Sequence, residues 1–227
     1  MDIEKILKGR SNRESREARP FKNFFESAHQ CFQAGWAVVE GRERSDHVAL
    51  IARSVVITSV TAIEVYFREI LDFLFKYCDP EFFEPHLKKL HQNKYDITDL
   101  IEVYRHNVHP LEVVVNDMSF QSVEKIEKTF SLFLKGGLWR QVLSLQVRIK
   151  DQSETEASFD AGNLEQLRRI LMLRHELVHN PGQGDFLNED VLNDLQGAIS
   201  MVFGADIVLS RMLEQNKDPR LSGASGT

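Results

Sequence analysis

The sequence predicts an all-α protein: a helical bundle carrying an inserted helical region, with little or no β-sheet. Three observations carry this reading. Apolar residues recur at intervals of three and four, the period of a helix buried along one stripe. Proline and glycine are sparse, 6 and 12 of 227 residues, and thin out through the middle of the chain. The strongest stretches, about 46–78, 162–181 and 188–213, are far longer than a strand of roughly ten residues or fewer.

Residues 1–20, MDIEKILKGRSNRESREARP, are charged throughout and read as a flexible arm. Arg10, Arg13, Arg16 and Arg19 could touch phosphate, but Glu14 and Glu17 alternate with them, as in a solvated segment. A helix over about 21–40 places Phe24, Phe25, Ala28, Cys31, Phe32 and Gly35 on one side, and Gly41-Arg42-Glu43-Arg44 breaks it. Ser45 or Asp46 caps the next helix. Its centre, SVVITSVTAI, is β-branched enough for a strand. The spacing of Ile63, Tyr66, Phe67, Ile70, Leu71 and Leu74 argues for one long helix, which Asp79-Pro80 ends.

The region 81–160 reads as an insertion. Short helices are expected near 81–91, 96–107, 120–134 and 138–149, with breaks at Pro110 and Gly136-Gly137. LEVVV at 111–115 suits a strand, and 151–157 a polar loop. Asn163 caps a helix from Leu164 to about Asn180, which Pro181-Gly182 terminates. The tail 215–227 reads as disordered. The body, 21–214, is one domain.

With 42% hydrophobic and 27% charged residues, the chain is neither disordered nor collagen-like. A net charge of −6 disfavours a protein that coats nucleic acid through global charge, but permits a local site. Cys31 and Cys78 have no zinc-binding spacing. The first residues hold no apolar signal core. The longest uncharged apolar run, 54–63, is half the ~20 residues of a membrane span. A cytoplasmic protein with reduced thiols and no membrane partner is expected.

The informative segment is LEQLRRILMLRHELVHNPGQGD, residues 164–185. It holds two overlapping signals. His175, Glu176 and His179 form H-E-x-x-H, in which two histidines on one helix share a zinc ion and the glutamate acts on bound water. Through Gly182 and Asp185 the pattern resembles a metzincin-type protease with a variant third ligand. Against it, Pro181 stands where the zinc-binding helix continues, no β-sheet precedes it, and the five-residue pattern is loose.

The second signal is R-x4-H, Arg174 and His179. On a helical wheel Leu164, Leu167, Ile170, Leu171, Leu173, Leu177 and Val178 define a broad apolar face. Arg174 falls near its centre, His175 and His179 share its edge, and Glu176 points towards solvent. A guanidinium in an apolar stripe is costly unless it is paired or faces a polar cleft. Phosphate handling explains it, because the guanidinium fork matches phosphate oxygens.

RHELVHNPGQGD resembles the R-x4–6-H motif of the HEPN superfamily: arginine, a polar residue, then histidine followed by Asn and a glycine-containing turn. The segment VALIARSVVITSVTAIEVYFREILDFL resembles an earlier long helix of that superfamily, with its cluster Glu64, Tyr66, Phe67, Arg68 and Glu69. The resemblance covers the framework helices at 46–78, 162–181 and 188–213. It implies a HEPN-like α-bundle, commonly a homodimer whose two motifs meet in one composite cleft. Many members are metal-independent endoribonucleases of toxin–antitoxin, antiphage or RNA-processing systems, so RNA and an antitoxin or other protein partner are implied, with no cofactor. Other members are non-catalytic binding or scaffold proteins.

The residue types suit RNA cleavage through a 2′,3′-cyclic phosphate in single-stranded or loop RNA. An imidazole moves protons near neutral pH, and an arginine stabilises the charged phosphorane. The resemblance assigns His179 as acid/base, Arg174 as phosphate stabiliser and His175 as helper. Asn180, Glu64 and Arg68 are expected to line the substrate cleft, although Glu64 and Arg68 also suit an i,i+4 ion pair. Tyr104-Arg105-His106-Asn107-Val108-His109-Pro110 echoes the motif with the wrong spacing and reads as a solvated helix end. The 15 phenylalanines are mostly core.

Overall fold

The β-branched run SVVITSVTAI lies in the middle of a 30-residue helix. A computed structural model describes residues 2–14, 19–42, 47–90, 95–148, 156–180 and 186–223. Four long helices form the bundle: α2 (Pro20–Val39), α3 (Val48–Tyr77), α9 (Ala161–His179) and α10 (Glu189–Gln215). Between α3 and α9 lie α4 (Pro80–Leu90), α5 (Ile97–Arg105), α6 (Pro110–Asp117), α7 (Val123–Phe130) and α8 (Leu138–Leu143), and α1 (Ile3–Glu14) precedes them all. Among the described residues, strand is confined to β1 (Gln146–Arg148) and β2 (Glu156–Ser158), an antiparallel pair with Val147 opposite Ala157. The protein is all-α.

Helix wins over strand in α3 because one broad helical face of the run is buried, while Ser54, Thr58 and Thr61 on the other face are exposed, a 3.6-residue period rather than the alternation of a strand. Val55, Val56, Val60 and Ile63 are all at most 3% exposed, and α3 packs on α2, α9, α10 and α6. Burial of that extent outweighs a β propensity worth at most ~1 kcal/mol per residue. Further along α3, Phe67 gathers the rings of Tyr66, Phe120, Phe130 and Trp139 at centroid distances of 5.0–6.2 Å. Three of those rings come from the inserted region or its edges. The insertion therefore shares one hydrophobic core with the framework helices.

Several local expectations are corrected. The arm expected over 1–20 is helical from Ile3 to Glu14. Ile3, Ile6 and Leu7 form a short stripe that packs on Val108 and Val113. Arg10 anchors it: Nε and Nη2 each donate to a Glu112 carboxylate oxygen at 2.9 Å, and Nη2 also donates to the Asn107 carbonyl at 2.9 Å. Arg16 and Glu17, and the side chains of Arg13 and Glu14, lie outside the described residues.

The strand expected at 111–115 is helix α6. Pro110 starts it, His109 Nδ1 accepts the Leu111 N–H at 3.2 Å, and Glu112 accepts the His109 N–H at 3.0 Å. This reciprocal cap favours helix, and Val113, Val114 and Val115 are buried. The helices expected near 120–134 and 138–149 are shorter, and β1 begins at Gln146. The two breaks at Gly136 and Gly137 both take positive φ, +86° and +89°. A β-carbon at Gly137 would also strike the Glu127 carboxylate, which accepts the Leu138 and Trp139 N–H groups at 3.1 and 3.0 Å.

Asp160, not Asn163, is the N-cap of α9; Asp160 accepts the Asn163 N–H at 2.9 Å and Asn163 answers at 3.3 Å. Ser45, Asp46, Pro181, Gly182 and the segment 151–155 lie outside the described residues. The tail expected to be disordered is ordered as far as 223. Asn216 accepts the Asp79 N–H at 2.9 Å, and Tyr77 accepts the Asp218 N–H at 2.8 Å. Residues 219–223 form a short 3-10 helix.

Both cysteines are free thiols. By length and composition alone, α3 and α10 are each apolar enough to cross a membrane; in this fold both supply core residues. Tyr66, 1% exposed, donates its hydroxyl to Asp206 at 3.0 Å. Burial pushes the Asp206 carboxyl above its ordinary value, against the lowering effect of the Tyr66 bond.

Ile6→Asp should release α1 and make the segment 3–11 a site of limited proteolysis; wild-type protein should resist cleavage within that segment. The folded form binds the Asp206 proton more tightly than the unfolded chain does. Its contribution is therefore greatest below the ordinary carboxylate value of 3.8 and is lost as pH rises through the raised folded value. Asp206→Asn should remove that component of the stability profile in urea unfolding across acid to neutral pH.

Candidate functional site

Helix α9 is fixed along its length before it reaches the motif. Leu167, Ile170, Leu171 and Leu177 are buried. Arg169 grips Asp194 of α10 through two hydrogen bonds, 2.8 and 2.5 Å. Gly197 of α10 lets the helices approach closely, because a β-carbon there would overlap Gln166. With that rotation set, Arg174 must face the seam between α9 and α3, as the apolar wheel indicates.

Its partner there is Glu64. Arg174 Nη2 lies 4.0 Å from Glu64 Oε1, with side chains 22% and 11% exposed. That separation is an ion pair without a hydrogen bond. Arg174 Nε and Glu64 Oε1 are both buried and have no hydrogen-bond partner among the described residues. The carboxylate thus offsets the charge of the guanidinium and leaves its directional donors uncommitted. At this distance the gross attraction is about 4 kcal/mol at an effective dielectric of about 20, and it opposes the desolvation of both groups.

Arg174 opens into a cleft of about 360 Å³ between α9 and the first turn of α7. Ser122, Glu124 and Lys125 form one wall; Arg168, Arg174, His175 and Glu176 form the other, with Leu171 and Met172 between. The lining holds three permanent cations and two carboxylates, and Glu64 and Glu165 balance Arg174 and Arg168 from outside it. Arg168 bonds Glu124 at 3.1 Å and also Glu165. Glu124 is held below its ordinary value first by its own backbone N–H, against burial, with Arg168 and Ser122 adding to the effect.

His175 and His179 are exposed and stand one turn apart, ring centroids 4.5 Å and planes 60° apart. His175 lines the cleft with Arg174, whereas His179 stands beyond its lining at the end of α9. Asn180 is the C-cap, exposed, its N–H donating to the Glu176 carbonyl at 2.8 Å. Arg68 is turned elsewhere: its Nη2 donates to the Met118 carbonyl at 3.4 Å, and it does not line the cleft. Glu64 pairs with Arg174 across the seam.

Among the described residues no His, Cys, Asp or Glu joins His175 and His179 in a group of three that could hold a metal. Asp185, the third ligand of the extended zinc pattern, lies outside them. His106 meets Glu102 at 3.4 Å and His109 caps α6, so each has a structural role. Sequence reasoning missed Lys125 and Arg168. Arg168 shares a helix with the motif, but Lys125 reaches the cleft only through the packing of α7 on α9. Compared with protein-family models, curated proteins and solved structures, the chain matches none.

Glu64→Ala should cost about 2–3 kcal/mol in chemical denaturation, below the roughly 3–5 of a fully buried pair, since Arg174 is partly exposed. The Glu64→Ala/Arg174→Ala double variant should lose less than the sum of the two single losses. Strict additivity would show that the two charges are not coupled.

Proposed function

We propose that the protein is a HEPN-type, metal-independent endoribonuclease acting on single-stranded or loop RNA in the cytoplasm. The observation that carries this reading is Arg174: charge-balanced by Glu64 at 4.0 Å, its Nε without a hydrogen-bond partner among the described residues, and set in a cleft beside His175 with Lys125 on the facing wall. A guanidinium held with open donors suits an oxyanion whose charge grows during reaction.

In the proposed step the ribose 2′-oxygen attacks the adjacent phosphorus. The O2′–P bond forms and the P–O5′ bond breaks. An imidazole takes the 2′-hydroxyl proton, and an acid returns a proton to the leaving 5′-oxygen. The products are a 2′,3′-cyclic phosphate and a 5′-hydroxyl. His179 serves as acid/base, Arg174 stabilises the phosphorane and His175 orients its neighbour. Glu64 acts through Arg174, and exposed Asn180 is available to the strand.

A homodimer supplies a second Arg174 and His179, so that base and acid can come from different subunits. The exposure of Val178, 46%, supports a subunit contact at this end of α9. A role in toxin–antitoxin or antiphage defence, with an antitoxin or other protein partner, belongs to the same proposal.

Cleavage of unstructured RNA should survive EDTA and fall about 10²–10⁴-fold, the range for loss of a general acid or base, in His179→Ala, with a comparable loss in Arg174→Ala. Glu176→Ala should cleave normally. Loss of activity in Glu176→Ala together with stoichiometric zinc would overturn the reading in favour of metal-dependent hydrolysis. A stable dimer that cleaves no RNA would point to a binding protein.

A further inference from the structure

The cleft has a wall that the R-x4-H motif does not supply. It comes from α7, within the inserted region, and its exposed cation is Lys125. Arg168 across from it is already held by Glu124 and Glu165. Lys125 makes no ion pair among the described residues; its backbone N–H caps onto Ser122 Oγ at 3.2 Å, and its side chain is left to the cleft. The cleft is two-sided in chemistry as well: the half-exposed Met172, set over the buried Leu171 and Val123, gives an aliphatic surface, while Lys125 and Arg174 give positive charge.

We infer that the α7–α9 cleft is a subsite for one nucleotide of an RNA strand flanking the scissile phosphate. The nucleobase lies against Leu171 and Met172, and its phosphate is held by Lys125. This rests on the ribonuclease reading above for the identity of the strand. The volume of about 360 Å³ falls within the range of roughly 300–1,000 Å³ of small-molecule sites. The pairing of an apolar surface with a cation matches a nucleotide, which presents a flat π-face and a phosphate together. An inorganic anion would use only the charged half. The flexible ammonium of Lys125 suits a backbone phosphate whose position varies with sequence. The inserted region thus becomes part of the substrate site, and Lys125 a specificity residue rather than a catalytic one.

The test uses the full chain and a fluorescent single-stranded RNA whose 2′-hydroxyls are methylated, so that binding is read without cleavage. Lys125→Glu should weaken binding roughly tenfold and lower the slope of log affinity against log salt by about 0.7, the value for one phosphate contact on a single strand. Lys128→Glu makes the same charge change at an exposed position of the same helix outside the cleft lining, and should change affinity less than twofold. On cleavable RNA, Lys125→Glu should raise KM with kcat within about twofold. Equal affinity and equal salt slope in the two variants would overturn the subsite. Wild-type binding of adenosine 5′-monophosphate but not of the RNA strand would overturn the assignment to RNA. If the strand binds through Lys125 and no RNA is ever cut, the subsite stands and the nuclease reading fails.

Discussion

A helix of 30 residues with apolar side chains on more than one side must be covered on more than one side, and α3 imposes that demand on the whole molecule. Helices α2, α9 and α10 supply much of that cover. At Phe67 the aromatic side chains of the inserted region add to the covering. The insertion is therefore not an appendage. Without Phe120, Phe130 and Trp139, the distal part of α3 would expose rings that are among its largest buried groups, a loss no surface contact offsets.

The same packing explains why the candidate site has its present chemistry. Between α3 and α9, Glu64 meets Arg174. Their distance leaves both charges balanced and both sets of hydrogen-bonding atoms incompletely used. Tight bidentate pairing, as Arg169 makes with Asp194, would be the better structural bond. The contrast between these two arginines, five residues apart on one helix, separates a strut from a group held ready for another acceptor.

The long helices were legible because their apolar period runs for many turns and few alternatives fit it. Arg174's inward placement followed from the wheel for the same reason. Short segments were less legible because distant partners decide them. LEVVV has the side chains of a strand, but Pro110, the His109–Glu112 cap and burial between α1 and α3 select helix. Nothing near Arg10 indicates that Glu112 will receive it. The approach of Lys125 to the motif depends on how two helices pack, and no local pattern records that. Arg68, adjacent in the same cluster to residues of the seam, is carried by helical rotation towards Met118.

The backbone contacts at the foot of α3 have a topological consequence. Asp79 meets Asn216, Tyr77 meets Asp218, and Cys78 pairs with Lys217. These contacts close everything between the ends of α3 and α10 into a single loop pinned at its base. The cost of that closure grows only with the logarithm of loop length, so even a long enclosed chain is pinned at modest cost. Helix α9, with Arg174 and the histidines, lies inside that loop. The ordering of its surroundings is thereby shared with a short stretch of main chain that carries none of the chemistry.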